Sequence, residues 1–266
     1  MNLALSTLVL FFLLIPGIVF RRFYYSEEFS REYFKETFFG IFISTVLPSL
    51  LFHFLWYFLA KLFGQQVDLN VLGDIVSQKP SKASFINIQD NSFKILLYNI
   101  TLFITAGVCG YLFKKQVRNK KLDRTFKFFR FQNSWHYILK GELFDFPRAE
   151  IVLERDTVED IELVFVDAVL EINGDAYLYD GILVDYELST SGGLETISLA
   201  KAQRRELMDD SKIDKKGAKE DNSSKYYPIT GHLLVLKNSE MKNLNFTYLT
   251  LDLEENKNEY IPRMVE

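Results

Sequence analysis

The residue types best suited to catalysis and metal binding are few in this chain and lie far apart. It holds three histidines, His53, His136 and His232, and one cysteine, Cys109. Zinc and iron sites use several His or Cys ligands at short spacings, and neither Cys-x-x-Cys nor His-x-x-x-His occurs here. The phosphate-binding patterns Gly-x-x-x-x-Gly-Lys and Gly-x-Gly-x-x-Gly and the nucleophile turn Gly-x-Ser-x-Gly are missing as well. We therefore predict no catalytic residues, no metal and no cofactor.

Acidic residues are numerous enough for paired acid–base chemistry, and Asp180 with Asp185 is an example of a candidate pair. Both fall on a predicted strand, where polar residues at alternating positions are typical of a face turned to solvent. We therefore expect both carboxylates to be exposed. An enzyme acting near a membrane remains a third hypothesis, behind the two given below.

Three long uncharged runs dominate the first part of the chain and must position any functional group. They are residues 3–20, 37–60 and 95–113. At 1.5 Å per residue the shortest gives about 27 Å of helix, close to the roughly 30 Å of a bilayer's hydrocarbon core. A cleaved signal peptide would need a basic start and a small-x-small site, whereas the first run ends in Phe20-Arg21-Arg22. The sequence predicts a transmembrane domain of three helices over residues 1–113, rather than a soluble helical core.

Charge is distributed unevenly along the chain and predicts its orientation. Residues 1–113 carry 8 basic and 7 acidic side chains, residues 114–139 carry 8 and 1, and residues 140–266 carry 15 and 27. Lys and Arg accumulate on the cytoplasmic side of spanning helices. The basic segment after the third run therefore predicts a bacterial inner-membrane protein with its N-terminus outside and its C-terminal domain in the cytoplasm.

Two polar or small features inside the apolar runs could carry function. His53 is a titratable side chain near the middle of a predicted span. An ionisable residue there marks a functional site by default, while a neutral His bonded to a neighbouring hydroxyl is the structural alternative. On the third predicted helix, a surface that allows close helix packing is formed by Ala106, Gly107 and Gly110.

The junction, residues 114–145, mixes basic side chains with aromatic ones. Such a mixture can bind nucleic acid, but directly after a spanning helix anionic lipid headgroups explain it better, at roughly 1 kcal/mol per basic group. The residues predicted to contact headgroups are Lys114, Lys115, Arg118, Lys120, Lys121 and Arg124. Apolar residues from Phe131 to Leu139 then recur at helical spacing, with Asn133 or Ser134 able to cap the start. A short amphipathic helix is therefore expected to pack onto the following domain.

The remaining residues, 146–266, show the two-residue alternation of strands. Five strands are predicted, at residues 161–172, 176–188, 194–199, 227–237 and 244–253. Asn173-Gly174 is the strongest short hairpin signal, a phase slip inside the first strand indicates a bulge, and Gly181 fits a sharply bent second strand. Residues 209–225 are too polar to pack and predict a mobile loop.

A short helix followed by five strands, the second of them bent, resembles the Sm-like and SH3-like small β-barrels. The stretch LEINGDAYLYDGILVDYELSTSGGLETISLAKA is similar to their first motif, and ITGHLLVLKNSEM is similar to their short second motif. The whole chain also resembles uncharacterised bacterial membrane proteins of the domain-of-unknown-function type, through Pro16-Gly17, Trp135-His136-Tyr137 and the small cytoplasmic β-domain. The fold class implied is a membrane α domain joined to a cytoplasmic five-stranded β-barrel.

The Sm-like resemblance implies RNA binding, which two features of the sequence argue against. Nucleic-acid affinity comes mostly from Lys and Arg at phosphates, and residues 140–266 carry 15 basic against 27 acidic side chains. Residues 187–191 read Glu-Leu-Ser-Thr-Ser, where the Sm pattern has Asp-x-x-Met-Asn. We therefore expect no nucleic-acid partner.

Two functional hypotheses follow from these patterns. In the first, the chain is a non-enzymatic, membrane-anchored interaction and oligomerisation module whose barrel edge strands bind a second copy or a partner protein. In the second, it is a membrane effector that forms a pore or disrupts the bilayer in a stress or phage-defence system, with the barrel as sensor. Depolarisation of cells that depends on His53 would favour the second hypothesis.

Overall fold

The computed structural model describes residues 2–35, 37–77, 81–151, 153–189, 191–207, 225–254 and 259–266. The chain divides into two compact units, Met1–Asp123 and Arg124–Glu266. The predicted loop 209–225 lies outside the described residues except for Lys225.

The first unit is helical. Its helices are α1 (Asn2–Tyr24), α2 (Ser30–Lys35), α3 (Phe38–Leu62), α4 (Leu69–Val76), α5 (Lys82–Asp90) and α6 (Ser92–Asn119). Three segments of the described residues are long and apolar enough to cross a membrane: Ser6–Tyr24, Phe38–Leu62 and Ser92–Asn119. The prediction of three such helices is confirmed. Large apolar side chains on them are exposed, Leu47 at 75% and Phe54 at 60%, as expected of helices built for hydrocarbon rather than water.

Close helix contact in the first unit depends on small residues. The Gly17 N–H of α1 donates to Ser49 Oγ of α3 at 2.9 Å, and that hydroxyl donates to the Leu14 carbonyl at 2.9 Å. A Cβ at Gly17 would collide with the Thr45 carbonyl oxygen, so a larger residue would push α1 and α3 apart.

The second unit consists of short helices followed by strands. Helix α7 (Leu122–Thr125) lies at the division between the units, and α8 (Ser134–Leu139) and a 3₁₀ turn (Glu142–Asp145) precede the strands. The strands are β1 (Leu163–Ile172), β2 (Asp175–Leu188), β3 (Leu194–Glu206), β4 (Tyr227–Pro228), β5 (Leu234–Lys237), β6 (Met241–Glu254) and β7 (Glu259–Met264). They form one antiparallel sheet in the order β4-β3-β2-β1-β6-β7, with β5 also pairing with β3.

This sheet is curled into a half-barrel. The pairings of the described strands do not close a ring, because none of them joins β7 to β4 or β5. The predicted count of five strands is too low. The predicted fourth strand is two strands, β4 and β5, separated by a segment in which Gly231 takes φ +138°, outside the strand region. Strand β7 was not predicted, because Pro262 disfavours a strand except at a sheet edge, where β7 lies.

The predicted hairpin is confirmed, but the bulge predicted from the apolar phase slip at residues 165–168 is not there, because Val164, Val166, Ala168 and Leu170 are buried in unbroken alternation. Asn173 and Gly174 take φ values of +56° and +94°, as a type I′ turn requires, and Ile172 pairs with Asp175 across it. The register of β1 against β6 shifts between Val169 and Leu170. The register of β2 against β3 shifts beside Gly181, where an added Cβ would lie 2.9 Å from the Ala200 carbonyl oxygen.

The core of the second unit lies on one face of the half-barrel and is covered by α8. Val166, Ile197 and Leu199 are fully buried, and Leu139 of α8 joins them at 1% exposure. Asn133 caps α8 by accepting the His136 N–H at 3.1 Å, and Tyr248 Oη donates to the Ile138 carbonyl at 2.7 Å. The predicted amphipathic helix is therefore present and packs on the sheet.

Candidate strand-binding groove

His53, the predicted intramembrane site, connects the three long helices. Its Nε2 lies 3.2 Å from the Leu13 carbonyl oxygen of α1, and its Nδ1 lies 3.4 Å from Tyr98 Oη of α6. Both ring nitrogens are thus engaged in helix packing, which matches the structural alternative considered for this residue. The hydroxyl partner is 45 positions away rather than on the same helix.

The small-residue surface of α6 faces α1. Ala106, Gly107 and Gly110 are all buried. A Cβ at Gly110 would collide with the Phe20 backbone of α1, and one at Gly107 would lie 3.2 Å from the Phe23 ring. These residues therefore lie where close helix packing requires small side chains.

Within the first unit, two of the six predicted headgroup residues form ion pairs with acidic groups. Lys114 is 4% exposed, and its Nζ donates to Glu27 Oε2 at 2.8 Å and to the Ser26 carbonyl at 2.9 Å. The bond from Lys114 lowers the pKa of Glu27. Arg118 donates to Asp123 Oδ2 at 2.7 Å, and that carboxylate is fully buried. Lys115 and Lys120 are exposed, and Lys121 is half-exposed.

The sixth headgroup candidate, Arg124, belongs to the second unit and is also paired. Its guanidinium donates to Asp145 Oδ2 at 2.5 Å and lies 3.0 Å from Glu142 Oε1. His136 stands beside this pair, with Nε2 3.8 Å from Glu142 Oε1 and Nδ1 3.0 Å from Tyr186 Oη. The cluster fixes α8 and the following turn against β2, and the sequence spacing gave no sign of it.

A groove of about 1020 Å³ runs along β6 in the second unit. One wall comes from α8 and the turn after it, through Trp135, Ile138, Leu143 and Phe144. The other wall is residues 241–248 of β6, and Ile151, Asn238, Met264 and Val265 also line the groove. The residues of β6 therefore face a cavity along a stretch eight residues long.

The backbone of β6 is unpaired on its groove side over this stretch. Strand β1 pairs with β6 from Met241 to Leu249, but β7 pairs with it only from Leu249 onward. The Val265 N–H donates to the Tyr248 carbonyl at 3.0 Å, which shows that the polar groups of residue 248 point away from β1. Since strand backbones alternate with period two, those of Phe246 and Leu244 point the same way. No other described strand pairs with them.

The end of β7 and the residues after it are held at Asp156, away from this edge of β6. Arg263 of β7 donates to both carboxylate oxygens of Asp156 at 2.8 Å and to Asp252 Oδ2 at 2.8 Å. These bonds hold the pKa of Asp156 well below its usual range. The chain after Met264 then turns to Asp156, whose Oδ2 accepts the Glu266 N–H at 2.9 Å.

The groove differs in charge from the domain that carries it. Its sixteen lining residues include no carboxylate, and Lys242 is the one ionised side chain among them. Residues 140–266 as a whole hold 27 acidic side chains against 15 basic ones. A groove without acidic groups, with apolar and amide side chains beside unpaired backbone, suits an uncharged extended polypeptide.

Comparison with protein-family models, with curated proteins and with solved structures found no match to this chain. Its chemistry is therefore argued from its own residues. Among the described residues, no group of three or more His, Cys, Asp or Glu side chains could hold a metal ion.

Asp180 is a buried carboxylate that the sequence reading placed in solvent. It is 3% exposed, and the register sets it opposite Asp167 of β1 and Gln203 of β3. Burial is the main cause that raises its pKa to about 6, against the smaller lowering by hydrogen bonds from Tyr226 and Gln203. The expectation of exposure is wrong for Asp180 and right for Asp185: both pair with β3, but two register shifts beside Gly181 lie between them, so they do not share one solvated face.

Proposed function

We propose that this chain is a membrane-anchored, non-enzymatic interaction module that binds an extended polypeptide segment along the groove side of β6. One observation carries the proposal: the backbone polar groups of Leu244 and Phe246 point, without a strand partner among the described residues, into a groove lined by apolar side chains. Unpaired strand edges are templates for strand addition, and natural sheets usually cover or charge them.

Strand addition at this edge would use both backbone and side-chain recognition. Leu244 and Phe246 each offer one N–H and one C=O, so an added strand would form up to four hydrogen bonds, at about 0.5–1.5 kcal/mol net each. Alternate side chains of the added strand would meet the wall formed by Trp135, Ile138 and Phe144. Backbone bonding supplies affinity for any extended chain, and the apolar wall selects an uncharged one.

The proposal also covers the protein's membrane localisation and the fold family of its half-barrel. We propose that the three long helices lie in the bacterial inner membrane, with the N-terminus outside and the half-barrel in the cytoplasm as a member of the small Sm-like or SH3-like barrels. The excess of Lys and Arg over residues 114–139, 8 against 1 acidic side chain, supports the orientation. Reporters of compartment fused to each terminus test it: opposite sides are expected, and the same side would overturn the orientation.

The binding edge is tested with a pair of substitutions at one position. Leu244→Pro removes an N–H that points into the groove and does not bond to β1, whereas Leu244→Ala removes the same side chain and keeps the N–H. A photo-crosslinking amino acid at the exposed position of Asn245, in the full chain in its membrane, reports occupancy of the edge.

Adducts at position 245 are expected with wild-type Leu244 and with Leu244→Ala, and a loss of at least five-fold is expected with Leu244→Pro. Equal adduct formation in the two variants would show that the edge does not bind through its backbone. Absence of adducts in all three chains would also overturn the proposal.

A further inference from the structure

We propose that the segment added to β6 is the same strand of a second copy, so that two half-barrels join antiparallel about a two-fold axis at Asn245. This inference rests on the proposed strand-binding function and names the partner of that groove. It makes the module a homodimer whose two copies each supply and fill one groove.

The groove and the strand beside it have matching chemistry. Over residues 241–248, the apolar side chains Leu244, Phe246 and Tyr248 alternate with uncharged polar ones, and Lys242 is the one charge. Residues 243–248 are therefore the uncharged, alternating segment that the groove suits. An identical patch on each copy is also what a two-fold interface requires.

Charge favours this edge for contact between two acidic domains. Residues 241–251 contain no Asp or Glu, whereas β1 and β2 each contain at least two carboxylates and the outer strand β7 begins with one. Strand β7 also contains Pro262 and Arg263, and β4 ends in Pro228, features that blunt an edge against pairing. The uncovered half of β6 is therefore an edge without carboxylates, and at eight residues it is longer than that of β5, whose four residues also include no Asp or Glu.

The hydrogen-bonding pattern sets the register of the pair. The carbonyl of Tyr248 is already occupied by Val265, and the bulge of β1 against β6 disturbs the alternation at residue 242. Leu244 and Phe246 remain, and an axis at Asn245 pairs Leu244 of each copy with Phe246 of the other. The two pairs form four hydrogen bonds. In the same register Lys242 of each copy lies opposite Tyr248 of the other, which is uncharged.

This register makes a measurable geometric prediction. Asn245 faces its own copy as a non-hydrogen-bonded pair, with Cα atoms about 4.5 Å apart. Residues 243 and 247 face each other across the axis, so each lies four residues, or about 14 Å, from its own copy at 3.4 Å per residue. A disulfide needs Cα atoms within about 7 Å.

Cysteine crosslinking of the full chain in its membrane tests the inference. Cys109, the one native cysteine, is first replaced by serine. Asn245→Cys is expected to form a disulfide-linked dimer on mild oxidation at five-fold or greater yield over Asn243→Cys or Thr247→Cys alone. The last two variants, coexpressed, are expected to crosslink to each other as well as Asn245→Cys does to itself.

Each alternative outcome has a defined meaning. Equal dimer yields at the three positions would indicate random collision and overturn the inference. Absence of an Asn245→Cys dimer, with photo-adducts at position 245 still lost in Leu244→Pro, would show that the partner is a different polypeptide and leave the strand-binding function standing. Absence of both the Asn245→Cys dimer and the photo-adducts at position 245 would overturn the homodimer inference and the strand-binding function together. The three cysteine positions are compared without the proline variant, so a folding defect in that variant does not affect the result.

Discussion

Replacing Asp180 by asparagine should stabilise the half-barrel near neutral pH. Asp180 is 3% exposed, and Asp167, Gln203, Arg205 and Tyr226 are the polar groups that surround it. Its pKa rises from 3.8 to about 6 in the folded protein, mainly because burial disfavours the charged carboxylate. The folded form thus holds the proton more strongly than the unfolded form, and ionisation costs folding free energy.

The sign and size of the effect follow from proton linkage. Well below pH 3.8 the carboxyl is protonated in both states and costs nothing. Between about pH 4 and pH 6 the unfolded chain ionises while the folded one does not, so the free energy of unfolding falls as pH rises, and above pH 6 the loss is complete. A shift from 3.8 to about 6, at 1.36 kcal/mol per pH unit, corresponds to about 3 kcal/mol. Asp180→Asn should recover about 1–3 kcal/mol at pH 7.5 and less than about 0.5 kcal/mol at pH 3.5.

Urea unfolding of the full chain in mild detergent measures this difference. The chain has two tryptophans, and in a Trp56→Phe background Trp135, which packs against the core of the second unit, reports on the half-barrel. Asp185→Asn, the same charge change at an exposed position of the same strand, should change the free energy of unfolding by less than about 0.5 kcal/mol. A less stable Asp180→Asn at pH 7.5, or an equal gain at pH 3.5, would refute the reasoning.

Three further substitutions test the packing of each unit. Arg124→Met should destabilise the half-barrel by about 3–5 kcal/mol, because it leaves Glu142 and Asp145 without their cation. The control Arg148→Met, at an exposed position, should leave the free energy of unfolding unchanged in the same urea assay. Gly110→Leu should lower the thermal midpoint of the helical unit in detergent by separating α6 from α1, whereas Gly73→Leu, with open space around it, should not. His53→Leu should also lower the thermal midpoint of the helical unit, because the contacts to Leu13 and Tyr98 are lost. If His53→Leu instead abolished a cell-depolarising activity and left the midpoint unchanged, the effector hypothesis would be supported.

Local features of the second unit were predictable because neighbouring residues fix them. The turn at Asn173-Gly174 needs positive φ at two adjacent positions, which few other residue pairs allow, and the structure has it. Helix α8 was predicted from apolar spacing and a capping residue for the same reason. Strand β7 was missed because Pro262 argues against a strand, and only its place at the sheet edge permits one.

The candidate groove depends on distances along the chain that no local pattern records. Leu244 and Phe246 read as ordinary strand residues in the sequence. Their outer side is uncovered because β7 stops pairing at Leu249 and the chain after it turns to Asp156, which also binds Arg263. The spacing of 107 residues between Arg263 and Asp156 hides this constraint from any reading of short windows.

The sequence by itself determined the three apolar helices, the hairpin and the acid-free stretch of β6, since run length, backbone preference and composition are properties of contiguous residues. Only the tertiary structure decided which charges are neutralised, as when Lys114 meets Glu27 across 87 residues, and which carboxylate is buried at Asp180. Burial, ion pairing and an open strand edge arise from register and packing between distant segments, so they exist only once the chain has folded.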